Sequence, residues 1–364
     1  MAAPAQNDPL AALRATLETL HRHRNENPET RGATGDLTLA KHQLRDWVER
    51  RLVRFDAAGN EDAINREFQD ALAGLRCPDG CVTTALGFID PVRLHREGEF
   101  LIVQTSVGIR CGYDDSAYVY EWAGQQWNRI FETEQNVYTK TAYRPQTIYA
   151  VHISPPDASG ARLALTLGSR PGCSGAFQPL YYRIWDLGKA PGSKPKLLLD
   201  AAETAYVGDY PPVKGTISAG DARLEFTAGG TGYGSSHQAV RHFEVRSNAV
   251  KQVDPIAPTP RDFVEEWLNA PWKQSAKQSS NRSESPTLEI WHRKMHRDDG
   301  MGDFPDPPLL CASDPELWQI GIRLRGAAPG TFSAETFYLV RWRQPDRFTM
   351  SAIAEHPLCQ GSKP

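Results

Sequence analysis

The feature that most constrains this chain is a pattern that recurs along it: strand, glycine-marked loop, aromatic strand, short turn, returning strand. Its first copy spans residues 100–131. Phe100-Leu101-Ile102-Val103-Gln104-Thr105 has the β-branched and aromatic content of a buried strand, and Gly108, Gly112, Asp114 and Asp115 supply turn chemistry after it. In Tyr118-Val119-Tyr120-Glu121-Trp122 the residues at 118, 120 and 122 share one face, Gly124 marks a turn, and residues 127–131 read as the returning strand.

A second copy follows 63 residues on. Tyr181-Tyr182-Arg183-Ile184-Trp185 mirrors residues 118–122, and Thr204-Ala205-Tyr206 mirrors Thr141-Ala142-Tyr143 at the same separation. A third shows in Ala222-Arg223-Leu224, which repeats Ala161-Arg162-Leu163 and has residues 241–245 as its aromatic strand. A more distant fourth runs through residues 318–322, 337–342 and 347–353. The blander alternative is that any two β-hairpins resemble each other. True repetition at such a period points to radially arranged four-stranded sheets, a β-propeller-like body of about four units. There is no WD dipeptide at the position such blades use, and no kelch pattern.

Before the repeats the periodicity is helical. Asp8 and Pro9 open an amphipathic helix with Leu10, Leu13, Leu17 and Leu20 on one face. After a polar break to Gly35, Asp36 is the expected cap of a second helix with stripe Leu37, Leu44, Trp47, Val48 and Leu52. Asn60 starts a third, with Ile64, Phe68, Leu72 and Leu75 inward. Thr259-Pro260-Arg261-Asp262 begins another short helix, with Phe263, Val264, Trp267 and Leu268 apolar. Residues 273–286 read as a polar mobile loop and 288–294 as a strand. The expected fold is mainly β with a helical N-terminal part. Its regions are 1–76 (helical), 77–256 (three β repeat units) and 257–364 (a fourth unit, or a separate α+β module).

Composition narrows the class. No run approaches the ~20 apolar residues of a membrane helix, and a formal charge of −3 argues against a nucleic-acid partner. Six cysteines, with Cys111 and Cys173 in repeat-equivalent loops, favour a disulfide framework: Cys77 with Cys81, Cys111 with Cys173, Cys311 with Cys359. Six free thiols in a reducing compartment are the alternative. The opening Met1-Ala2-Ala3-Pro4-Ala5-Gln6 resembles the start of a mature exported chain whose signal peptide has been removed, so a periplasmic or secreted location is expected.

Chemistry-bearing motifs are sparse. Gly229 to Gly234 lacks the Lys-Ser/Thr ending of a phosphate loop and lies between strands. His21 and His23 point to different sides of a helix. His292 and His296 on a strand would stand ~13 Å apart, too far for one ion, so no metal or cofactor is expected. No nucleophile elbow occurs. Function is therefore placed on loops emerging at one face of the β body: Tyr113, Asp114, Asp115, Arg170, Tyr233 and His237 from one set, and Tyr138, Lys140, Tyr143, Tyr206, Asp209 and Tyr210 from another. Tyrosines with few fixed charges suit adaptable recognition of a protein or carbohydrate by a monomer. The rival reading is a hydrolase or lyase in a central depression of that face, with His237 or an Asp114/Asp115 carboxylate as acid or base.

Overall fold

The run Phe100-Leu101-Ile102-Val103 is apolar without alternation because its strand is covered on both faces. In the computed structural model, which describes residues 9–23, 31–77, 86–110, 112–135, 145–171, 175–189, 193–208, 211–229, 236–246, 249–280, 285–297, 302–324, 331–343 and 347–359, Leu101 and Val103 join Tyr118 and Tyr120 in a core shared with helices. Phe100 and Ile102 join Ala117, Val119 and Phe131 in a core shared with a second sheet. The chain divides into two compact units, residues 1–203 with 217–219, and residues 204–216 with 220–364.

The first unit opens with three helices, α1 (Pro9–Arg22), α2 (Arg31–Leu52) and α3 (Glu61–Leu72), followed by a 3-10 turn at Ala73–Leu75. All the stripe residues expected to face inward from Leu13 to Leu75 are buried. The side chain of Asn60 caps α3 by accepting from the Ala63 amide. Helix α2 begins at Arg31, not at Asp36, so Gly35 lies inside it rather than in a polar break. Gly87 has a φ of +87°, and a Cβ there would meet Leu17 O at 2.6 Å, so this glycine lets the chain pass against α1.

Two antiparallel groups of strands complete this unit. The first is β1 (Arg93–Glu97), β2 (Phe100–Ile109), β3 (Gly112–Ala123) and β4 (Gln126–Thr133), paired in that order. The second is β5 (Thr147–Ile153), β6 (Arg162–Ser169), β7 (Phe177–Gly188) and β8 (Lys196–Tyr206). Trp122 lies on the third strand of the first group and Trp185 on the third strand of the second. The repeated aromatic strand thus has the same rank in both. Trp122 and Trp185 are only partly buried, whereas Tyr118 and Tyr120 are fully so.

In the second unit β9 (Val213–Ile217) and β11 (Ser236–Arg246) flank β10 (Asp221–Gly229), and β12 (Ala249–Val253) follows β11. Ala205, at the end of β8, pairs with Ala228 of β10. The expected propeller closure is not formed: the sheets are not closed into a propeller.

The rest of this unit is α4 (Pro260–Asn269), α5 (Trp272–Ser275), a 3-10 turn at Ala276–Gln278, α6 (Ser285–Arg297), β13 (Gly302–Asp303), β14 (Leu309–Leu310), β15 (Leu317–Leu324), β16 (Thr336–Arg343) and β17 (Arg347–Ala354). Thr259 caps α4 as its sequence implies. The helices lay Phe263, Val264, Trp267, Leu268 and Leu288 on Ile320, Ile322, Tyr338, Val340 and Met350 of the sheet.

Two expectations fail in this stretch. Residues 288–294 are helical: Leu288 and His292, four apart, are buried while Ile290 and Arg293 are exposed, a helical period that short apolar runs do not distinguish from a strand. The presumed loop 273–286 contains α5 and the 3-10 turn, because Ser275 is buried, with its hydroxyl donating to Trp267 O at 2.7 Å. Cys311 and Cys359 form the expected disulfide. Cys77 is also disulfide-bonded, while Cys81, Cys111 and Cys173 fall outside the described residues. Among the described residues no helix is long and apolar enough to cross a membrane.

Candidate functional site

The first unit carries a cavity of about 270 Å³ lined by the end of β4, the start of β5 and the facing stretches of β6 and β7. Register explains which side chains face it. On β6 and β7, Thr166 pairs with Arg183 and Gly168 with Tyr181, so by the period of two these four positions lie on one sheet face, and Arg170 continues the row. Thr133, Gln135 and Gln146 add polar side chains to the lining, which also includes Pro145, Ile148, Leu167 and Ser169. At Gly168 a Cβ would sit 2.3 Å from Thr147 O, so the bulged start of β5 closes on β6 only because that side chain is missing.

Behind the wall lies a buried polar network. Asp114 and Asp115, expected on a solvated turn, are instead interior residues of β3, exposed by 1% and 5%. The physical reason is that they provide acceptors for backbone amides at the entry to β5. Asp114 Oδ1 accepts from the Gln146 amide at 3.0 Å, and Asp115 Oδ2 accepts from the Ile148 amide at 2.8 Å and from Gln104 Nε2 at 3.1 Å. Lys41 of α2, fully buried, donates from Nζ to Asp114 Oδ2 at 3.0 Å and to Gln135 O at 3.1 Å. The chain on both sides of residues 136–144 is therefore held by one ion pair.

Glu134 points away from the cavity, between Thr133 and Gln135 which face it. Its buried carboxylate takes His42 Nε2 at 2.9 Å, Arg45 Nη1 at 3.5 Å and the Tyr118 hydroxyl. Burial pushes the Asp115 carboxyl up to about 7. Burial, and next the Glu134 charge, pushes the Tyr118 hydroxyl well above its usual range.

The remaining expected site residues scatter. Arg170 lines the cavity and is exposed. Tyr113 lies on β3, half-buried, with its hydroxyl pushed up by burial and then by Asp90. Tyr206 ends β8. Tyr138, Lys140, Tyr143, Asp209, Tyr210 and Tyr233 lie outside the described residues. His237 belongs to the second unit and is no open loop residue: it is 5% exposed, with Nε2 2.7 Å from Glu266 Oε1, whose other oxygen meets Arg241 Nη2 at 2.8 Å. His292 is likewise a core residue, its Nε2 3.0 Å from Ala270 O and 3.1 Å from Trp267 O. No group of three or more potential metal ligands occurs among the described residues.

Sequence reasoning missed Lys41, Gln104, Gln146, Tyr181 and Arg183. One signal was available. Lys41 sits four residues after Leu37 and three before Leu44, in the apolar stripe of α2, where a charge must find a buried partner.

Glycosidic hydrolysis uses two carboxyl groups flanking the substrate, roughly 5–9.5 Å apart. Here no carboxylate is among the residues that line the cavity; Asp114, Asp115 and Glu134 behind it are buried and engaged with protein donors, and Asp200 of β8 is bonded to the lining Arg183. The arrangement can bind a polar ligand through amides, hydroxyls, guanidiniums and one aromatic ring.

No family model matches the chain, and no curated protein matches it. Among solved structures it aligns with an α-L-arabinofuranosidase from Lactobacillus brevis at 9% identity and a TM-score of 0.26, covering 78% of this chain and 81% of that one. A glycoside hydrolase aligns at 8% identity and a TM-score of 0.27, covering 76% and 89%. A GH43_1 enzyme from Xanthomonas citri complexed with xylotriose aligns at 9% identity and a TM-score of 0.24, covering 81% and 98%. Similarity at this level assigns neither fold nor chemistry to the chain.

Proposed function

We propose that this protein is a non-catalytic binding protein whose first unit takes a small carbohydrate, or the end of a carbohydrate polymer, in the cavity between β5, β6 and β7. The observation that carries the reading is the composition of the wall: Gln135, Gln146, Thr133 and Thr166 with the Tyr181 ring, and no carboxylate among the lining residues. Amide and hydroxyl groups match sugar hydroxyls as both donors and acceptors, and a tyrosine offers an apolar face with a polar tip. The volume of about 270 Å³ is near the lower end of ligand pockets, which suits one end of a chain rather than its length. Tyr113 and Tyr138 are additional contact candidates, since Tyr113 lies on β3 beside Asp114 and Tyr138 follows the lining Gln135 in the sequence. The Cys311–Cys359 disulfide favours work in an oxidising compartment.

Isothermal titration with a panel of neutral and acidic oligosaccharides tests the reading, paired with an assay for new reducing ends. Saturable binding to wild type, at least tenfold weaker in Tyr181→Ala at unchanged melting temperature, with no reducing ends released, is the expected result. Absence of binding across the panel, or turnover, would overturn it.

A further inference from the structure

Arg183 reaches the cavity as one half of an ion pair. Its Nε donates to Asp200 Oδ1 of β8 at 2.8 Å, and its guanidinium lies over the Tyr181 ring at 5.8 Å. The bond to Asp200 uses one of the five N–H donors of the guanidinium, and among the described residues the two Nη groups donate to no protein acceptor. The pair thus offers direction without net charge: N–H groups for a ligand's oxygens, with the charge that would attract an anion already answered by Asp200. Arg170, the other basic residue of the lining, is exposed to solvent and is engaged within the chain. The Lys41–Asp114 pair behind the wall is likewise internally neutral.

From this we infer that the saccharide is uncharged, and that Asp200 is the residue that sets this preference by neutralising Arg183. This rests on the carbohydrate reading above and narrows it. A sugar hydroxyl or ring oxygen accepts from the Nη groups of Arg183, while neighbouring hydroxyls meet the side chains of Gln135, Gln146, Thr133 and Thr166. A uronate in the same place would bring a second carboxylate to a guanidinium that Asp200 already holds. The two carboxylates would repel each other across it, and the ligand's would give up water for a cation that it must share.

The test pairs trimers of galactose, glucose and mannose with the matching uronic acid trimers, in which each primary alcohol is replaced by a carboxylate. Wild type should bind at least one neutral trimer tenfold or more tighter than its acid. Asp200→Asn keeps an acceptor for Arg183 Nε but removes the charge, so it should lower that ratio at least tenfold by tightening the acid. Arg183→Gln should weaken the neutral trimer and give the acid no gain, because Asp200 then stands alone. The Asp200 side chain is 51% exposed, so unchanged melting temperatures are expected and will separate altered recognition from lost folding. A wild-type ratio below tenfold would refute the inference while leaving the carbohydrate site standing. So would a ratio that Asp200→Asn lowers by less than tenfold, or lowers only by weakening the neutral trimer, or a gain for the acid in Arg183→Gln. Binding of no trimer in any arm would bring down the carbohydrate reading itself.

Discussion

Replacing Lys41 by methionine is the perturbation whose consequence follows most directly from the geometry. Methionine fills most of the same volume but leaves Asp114 buried, with both side chains of the pair at 0% exposure in the wild type. Asp114 keeps the Gln146 amide, so it loses its counter-ion but not every hydrogen bond. Removing one partner of a buried ion pair costs about 3–5 kcal/mol. The lost donor to Gln135 O adds to this only if water cannot replace it. Urea denaturation followed by tryptophan fluorescence should show a midpoint shift equivalent to 3–5 kcal/mol at unchanged m. The double variant Lys41→Met/Asp114→Leu should recover part of the loss, because no unpaired charge is left, but not all, because the Gln146 amide then has no acceptor. A shift below about 1 kcal/mol for Lys41→Met would refute the claim that this pair anchors the cavity rim.

Asp115 makes stability pH-dependent with a definite sign. Its folded carboxyl is pushed from 3.8 up to about 7, so the native state holds a proton that the unfolded chain has released. Its contribution is fully present below pH ~4 and is lost as pH rises through 7, by roughly 4 kcal/mol in all. Stability of wild type relative to Asp115→Asn should therefore fall between about pH 4 and 7 and level off above that, and a flat difference would show that the carboxyl titrates normally. In the second unit, Glu266→Ala leaves Arg241 and His237 buried without their shared partner, and should cost about 3–5 kcal/mol by thermal or urea denaturation. A loss below 1 kcal/mol would mean that water replaces the carboxylate.

The sequence made most elements legible where periodicity was long and capped. The stripes of α1, α2 and α3, the Asn60 and Thr259 caps and the aromatic strands β3, β7, β11 and β16 all stand where the pattern put them. It misled where one signal served two structures. Asp114-Asp115 reads as turn chemistry, yet a buried strand needs such acceptors when the next strand begins with amides that no neighbour pairs. Residues 288–294 are too few to separate a strand from a helix. Trp122 shares the face of Tyr118 and Tyr120 by alternation but is only partly buried, its ring edge-on to that of Trp127. The cavity was least visible, because Gln146, Thr166, Tyr181 and Arg183 come together through register, which no local pattern states.

The central claim is that the cavity of the first unit binds carbohydrate and leaves it intact. Its most direct measurement is a titration of wild type with the oligosaccharide panel at neutral pH, with each sample analysed by mass spectrometry after overnight incubation. Saturable binding of at least one oligosaccharide, abolished or weakened tenfold in Tyr181→Ala and recovered unchanged in mass, is the predicted result. Shortened or unsaturated products, or binding that Tyr181→Ala leaves untouched, would contradict it.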